Sequence, residues 1–148
     1  MSSYVPASLR RLVAARSDGV CEYCLIADED TFFGCQIEHI ISEKHRGATV
    51  EENLAHACAF CNSHKGTDIA SISTRTGQLV RLFNPRTDRW ATHFKIGSDG
   101  VTIEPLTDVG EATARLLELN HPDRLLERQA LLKVGRYPAP GAIRWMNG

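Results

Sequence analysis

At 148 residues, with 43% hydrophobic and 24% charged residues, the chain has the size and composition of one soluble domain with a real core. A net charge of -1, from 17 Lys and Arg against 18 Asp and Glu, lacks the basic excess usual in a nucleic-acid binder. Any attraction to DNA must come from local clusters: Lys44-His45-Arg46, His64-Lys65, and Arg81, Arg86 and Arg89. No apolar run approaches the ~20 residues of a membrane helix. The start, MSSYVPASLRRLVAARSDG, has no apolar signal region, so the expected compartment is the cytoplasm, with no membrane contact.

In chain order, residues 6–18 read as a helix, with Leu9, Leu12, Val13 and Arg16 at helical spacing and Asp18-Gly19 at its end. Cys21 to Cys24 is a tight turn. Residues 25–35 read as loop with a short strand near Phe32-Phe33, and 37–41 as a strand. Residues 42–50 read as loop. Residues 51–57 are expected to form a short helix with two acids in its first turn. A second cysteine turn leads into a helix starting near Asn62.

Further on, residues 79–83, 90–96 and 101–103 read as strands, with Ser98-Asp99-Gly100 turning between the last two. Asp108 and Glu111 resemble a capping box for a helix over 109–119. A second helix over 123–134 closes at Gly135. Leu116, Leu119, Leu125, Leu126 and Leu132 are the expected core of this pair. The tail YPAPGAIRWMNG is expected to be partly disordered. The organisation is a single α+β domain over 1–148, with a core over about 18–70 and an extension over about 78–135.

Cysteine supplies the sharpest signal. Cys21/Cys24 and Cys58/Cys61 are two C-x-x-C pairs separated by 33 residues, and Cys35 is left over. Disulfides do not persist in a reducing compartment. Two such pairs in one short chain supply the four ligands of a tetrahedral Zn²⁺, with no open position for substrate. The zinc would be structural. Four thiolates and one Zn²⁺ also carry a net charge of about -2, which weakens global attraction to DNA.

A zinc there closes a loop containing Glu38, His39 and Asn53 and sets Asn62 beside it. On a regular strand Glu38 and His39 point to opposite faces, so a strand end or bulge would have to bring both to one site. C-x-x-C, Glu38-His39, Asn53-Leu54 and C-x-x-C-Asn62 with Lys65-Gly66 resemble the HNH endonuclease family. Asn53 lies 14 and Asn62 23 residues after His39, as in HNH domains generally. The stretches ARSDGVCEYC, IEHIISEKHRGATVEENLAHACAFCNSHKG, TGQLVRLFNPRTDRWATHF and LNHPDR extend the likeness to bacterial stand-alone HNH proteins, over residues 8–135.

The resemblance implies a ββα-metal core carrying a structural four-cysteine zinc site, with extra short strands and two C-terminal helices. It implies a DNA endonuclease in which His39 is the general base, Glu38 and Asn62 hold a catalytic divalent ion, and Asn53 braces the loop that orients His39. A hard ion, Mg²⁺ or Mn²⁺, suits oxygen ligands and leaves positions for water and phosphate. No small-molecule cofactor is expected. One site cuts one strand at a time, so duplex cleavage would call for a homodimer. Glu38 stands where most family members have Asp, one methylene shorter.

Each residue also has a blander reading. Alone, His39 would be a core histidine, Asn53 a turn residue, and Asn62 the N-cap after the zinc turn. His56 reads as a helix-surface residue or a support to the site. His64 is open between metal, leaving group and DNA contact. Lys65 can reach a phosphate or simply be solvated. Phe83, Trp90 and Phe94 read as core. Arg86 either pairs with Asp88 or, with His93, approaches the phosphates. The rival function is a non-catalytic zinc-stabilised module that binds nucleic acid or protein.

Overall fold

The computed structural model describes residues 4–147. Its central element is an antiparallel hairpin of β1 (Cys35–His39) and β2 (Leu54–Cys58), paired from Cys35 with Cys58 to His39 with Leu54. Helix α1 (Ala7–Arg16) packs on β2, and α2 (Ala59–Lys65) packs on both strands. All five residues of β2 are buried. Its alanines, Ala55 and Ala57, leave room for this close packing.

The expected helix over 51–57 is therefore corrected. Only Glu51–Asn53 form a 3₁₀ turn, and the next five residues are strand. Leu-Ala-His-Ala has ordinary helix propensity, but pairing with β1 and burial on both faces outweigh it. The start of α2 is corrected as well. Cys58 is its N-cap, with Sγ accepting from the Cys61 N–H, so Asn62 lies inside the helix and caps nothing. Phe32 and Phe33 form no strand; they are exposed and packed edge to face, 4.6 Å apart.

Beyond the hairpin lie two more two-stranded antiparallel sheets, β3 (Ala70–Ile72) with β4 (Leu79–Arg81), and β5 (Phe94–Ile96) with β6 (Ile103–Pro105). Residues Trp90–His93 form one helical turn, α3, where strand was expected. The Trp90 indole N–H donates to the Tyr23 carbonyl at 3.0 Å, and the local chain turns inward to allow it. Helix α4 (Asp108–Leu116) is capped one residue earlier than read, by Thr107, whose Oγ1 accepts from the Gly110 N–H.

Helix α5 (Pro122–Lys133) holds the largest departure from the sequence reading. Leu126 and Leu132 face solvent, while Arg124 and Arg128 are buried. Arg128 donates to the Val101 carbonyl at 2.7 Å and to Asn120 Oδ1 at 3.1 Å. These acceptors prevail over leucine for the inward face, because a buried guanidinium with good partners fixes the helix phase. The tail is ordered through residue 147 and contains α6 (Ile143–Met146). Tyr137 Oη donates to the Cys24 carbonyl at 2.8 Å, and Tyr137, Ala139 and Ala142 join the main core. That core runs from the first cysteine turn through Phe83, Trp90 and Phe94 to Leu117 and Leu119. Among the described residues no helix is long and apolar enough to cross a membrane.

His93 is buried behind α4, with Nδ1 2.6 Å from Thr107 Oγ1 and Nε2 3.9 Å from Asp88. Burial holds its pKa below the ordinary histidine value, although Asp88 pulls the other way. The unfolded chain thus takes up a proton first, and stability falls as pH drops below about 6.5. Thermal unfolding at about pH 7.5 and about pH 5.5 should show this loss. It should be smaller in His93→Gln; an equal loss would mean His93 contributes nothing to it.

Candidate functional site

Two turns build the cysteine cluster. The first, Cys21–Cys24, is closed by the Cys21 N–H donating to the Ile26 carbonyl at 2.9 Å. The second is the N-terminus of α2. The four sulfurs of Cys21, Cys24, Cys58 and Cys61 are buried and lie within 4.8 Å of one another. All-thiolate ligation at this spacing suits a tetrahedral metal ion.

Arg124 completes this cluster, and nothing in the sequence singled it out. Its guanidinium lies 3.8 Å from both Cys58 Sγ and Cys61 Sγ and 4.2 Å above the Phe60 ring. Burial works against its charge, and the neighbouring sulfurs of Cys24, Cys61 and Cys58 more than reverse that effect. A buried cation beside a metal tetrathiolate of net charge about -2 offsets part of the surplus. Arg124→Met should cost about 3 kcal/mol in chemical denaturation, and should speed metal loss to a chelator. Unchanged stability and metal retention would remove Arg124 from this role.

A second locus lies at the other end of the hairpin. Glu38, His39 and Asn62 line one cleft of about 600 Å³, with Ser42, Lys44 and Thr67 on its walls. Alternation along β1 sends Glu38 inward. Its Oε1 accepts from Tyr23 Oη at 2.8 Å and from Lys65 Nζ at 3.1 Å. Its Oε2 is buried and has no protein partner. Burial pushes the carboxyl pKa up, opposed by Lys65 and Tyr23. An orphaned carboxylate oxygen on a cleft shared with an amide side chain fits a hard cation.

His39, at the strand end, has Nε2 2.8 Å from Thr49 Oγ1. Asn53 ties down the loop that carries Thr49. Its Oδ1 accepts from the Ile41 N–H, and its Nδ2 donates to the Ile41 and Ala48 carbonyls, each at 2.9 Å. Gly47 is required in that loop, since a Cβ there would sit 1.6 Å from the Ile41 carbonyl oxygen. Asn62 donates to Gln36 Oε1 across the strand. Thr49 and Tyr23 had no motif to mark them, because their roles arise only from the loop and turn placement.

The other candidates lie elsewhere. Lys65 is buried, and besides Glu38 it donates to the Ile40 carbonyl at 2.8 Å, so it does not reach out to a phosphate. His64 stacks on Phe60 and pairs with Glu118 at 2.8 Å. Arg86 pairs with Glu22, while Asp88 binds Arg81, so the local Arg86–Asp88 pair is replaced by two longer-range ones. His93 is internal, behind α4. His56 lies on β2, buried, with Nδ1 2.9 Å from Ser17 Oγ.

The stretch holding both cysteine turns, the hairpin and α2 matches a known family model, that of the HNH endonucleases, over residues 21–68. Residues 21–68 are thus similar to an HNH endonuclease domain. No curated protein and no solved structure matches the chain. In the HNH segment the hairpin and α2 make the ββα unit, and the cysteine cluster fastens one end of it while the cleft opens at the other. Arg124 and the tail, which cover the cluster, come from outside that segment.

Proposed function

We propose that the chain is a divalent-metal-dependent endonuclease that hydrolyses DNA phosphodiester bonds, folded as one domain around a structural Zn²⁺ on Cys21, Cys24, Cys58 and Cys61. The observation that carries this reading is the cleft shared by Glu38, His39 and Asn62, with the free Oε2 of Glu38. Glu38 Oε2 and the Asn62 side-chain oxygen would hold Mg²⁺ or Mn²⁺. Such an ion, when bound, supplies Lewis-acid stabilisation to the phosphoryl and leaving oxygens.

The chain's own groups do the rest. Nε2 of His39 is engaged by Thr49, which leaves Nδ1 to accept the proton of the attacking water. Asn53 holds the loop and thereby the ring, since catalysis is sensitive to about 1 Å of displacement. Tyr23 and Lys65 fix the Glu38 carboxylate through Oε1 and leave Oε2 without a protein partner. The extra methylene of Glu38 is taken up by this inward anchoring.

Plasmid cleavage by the purified chain tests this, with the tightly held zinc retained and Mg²⁺, Mn²⁺ or no ion added. Nicking or linearisation should require the added ion. His39→Ala should lose it by a factor of about 10² or more, with zinc content and fold unchanged. Cleavage by His39→Ala at the wild-type rate would overturn the mechanism. No cleavage with any ion, in a folded, zinc-loaded protein, would favour a nucleic-acid-binding module instead. Separately, Cys58→Ser should lose zinc and unfold; a stable zinc-free fold would refute the structural role of the ion.

A further inference from the structure

Cys35 and His56 take no part in the cluster or the cleft, yet the hairpin brings them together. Ile37 pairs with His56 and Cys35 pairs with Cys58, so Cys35 and His56 are diagonal neighbours on one face. The 3₁₀ turn Asp28–Asp30 places a carboxylate over them. One ligand atom from each of Asp28, Cys35 and His56 lies within 4.8 Å of the others.

The hydrogen bonds orient this trio. Ser17 Oγ donates its proton to the Ala14 carbonyl at 3.0 Å, so it accepts from His56 Nδ1 at 2.9 Å. That leaves Nε2 facing Asp28 Oδ1 at 3.9 Å, beyond hydrogen-bond range. Bonds of about 2.0–2.1 Å to a tetrahedral ion would set two such ligands about 3.4 Å apart, so a small closure suffices. The backbone N–H of Cys35 donates to Asp28 Oδ1 and holds the carboxylate in place. A ligating histidine usually gives its other N–H to a fixed acceptor, as His56 does here to Ser17.

We infer that Asp28, Cys35 and His56 form a second metal site, separate from the four-cysteine cluster and from the cleft, which takes a Zn²⁺-class transition-metal ion. Thiolate, imidazole and carboxylate together select zinc over magnesium or calcium. Binding displaces the Cys35 thiol proton to solvent. Cys35 is the strand partner of Cys58, so the negative tetrathiolate next to it favours a cation here. Three protein ligands leave one position to water, on the side where Asp28 is exposed. The ion would clamp the Asp28 turn to the hairpin, at the base of the loop bearing Phe32 and Phe33.

Zinc per chain, measured on the full-length protein across a series of buffered free Zn²⁺ concentrations, tests the site. Wild type should rise from one ion to two, and the Asp28→Asn, Cys35→Ser double variant should stop at one. The wild type also gives a readout that needs no variant. Burial and the neighbouring cysteines push the Cys35 thiol up, so its alkylation by iodoacetamide should be slow but measurable with one equivalent of zinc bound and suppressed by the second. Saturation of wild type at one ion, retention of two by the double variant, or Cys35 alkylation indifferent to the second equivalent would each overturn the proposal.

Discussion

Four sulfurs held within 4.8 Å of one another constrain everything around them. Two come from the turn after α1 and two from the N-terminus of α2, so the cluster joins segments 33 residues apart and fastens one end of the hairpin. Trp90, Tyr137 and Arg124 then meet the same turns through the Tyr23 carbonyl, the Cys24 carbonyl and the sulfurs. A small chain with short strands has little sheet of its own to hold it, and a metal-ready cluster substitutes for that missing sheet.

The second theme is buried charge with assigned partners. Glu38 and Lys65 are inside the protein, paired with each other and with Tyr23 and the Ile40 carbonyl. Arg124 and Arg128 lie inside as well, against sulfur and carbonyl acceptors. Breaking such pairs is costly because the remaining charge has no water to turn to. They therefore specify geometry: Lys65 sets the carboxylate of Glu38, and Arg124 sets the phase of α5. The same logic explains why residues that looked like surface cations do no surface work.

Much of the fold was legible. The C-x-x-C spacing, the Glu38-His39 and Asn53 positions and the terminal glycine of α5 follow from local chemistry. Local preference and final structure part where tertiary contacts override that preference. Residues 54–57 look helical until a partner strand pairs with them. Leu126 and Leu132 look like core until Arg124 and Arg128 find acceptors on the inner side. The cap of α2 lies four residues before Asn62 because a cysteine sulfur, not the Asn62 side chain, accepts the free N–H.

By itself the sequence determined which residues are candidates for chemistry: four cysteines at metal-ligand spacing, a histidine beside an acid, and two asparagines at fixed distances from it. These depend on residue type and short spacing, which the chain carries everywhere. Only the tertiary structure decided which of them share a space. It set Glu38, His39 and Asn62 on one cleft, turned Lys65 inward to hold Glu38, and gathered Asp28, Cys35 and His56 near the other end of the hairpin. Strand register and helix phase make those choices, and both are settled by burial and pairing across long stretches of chain.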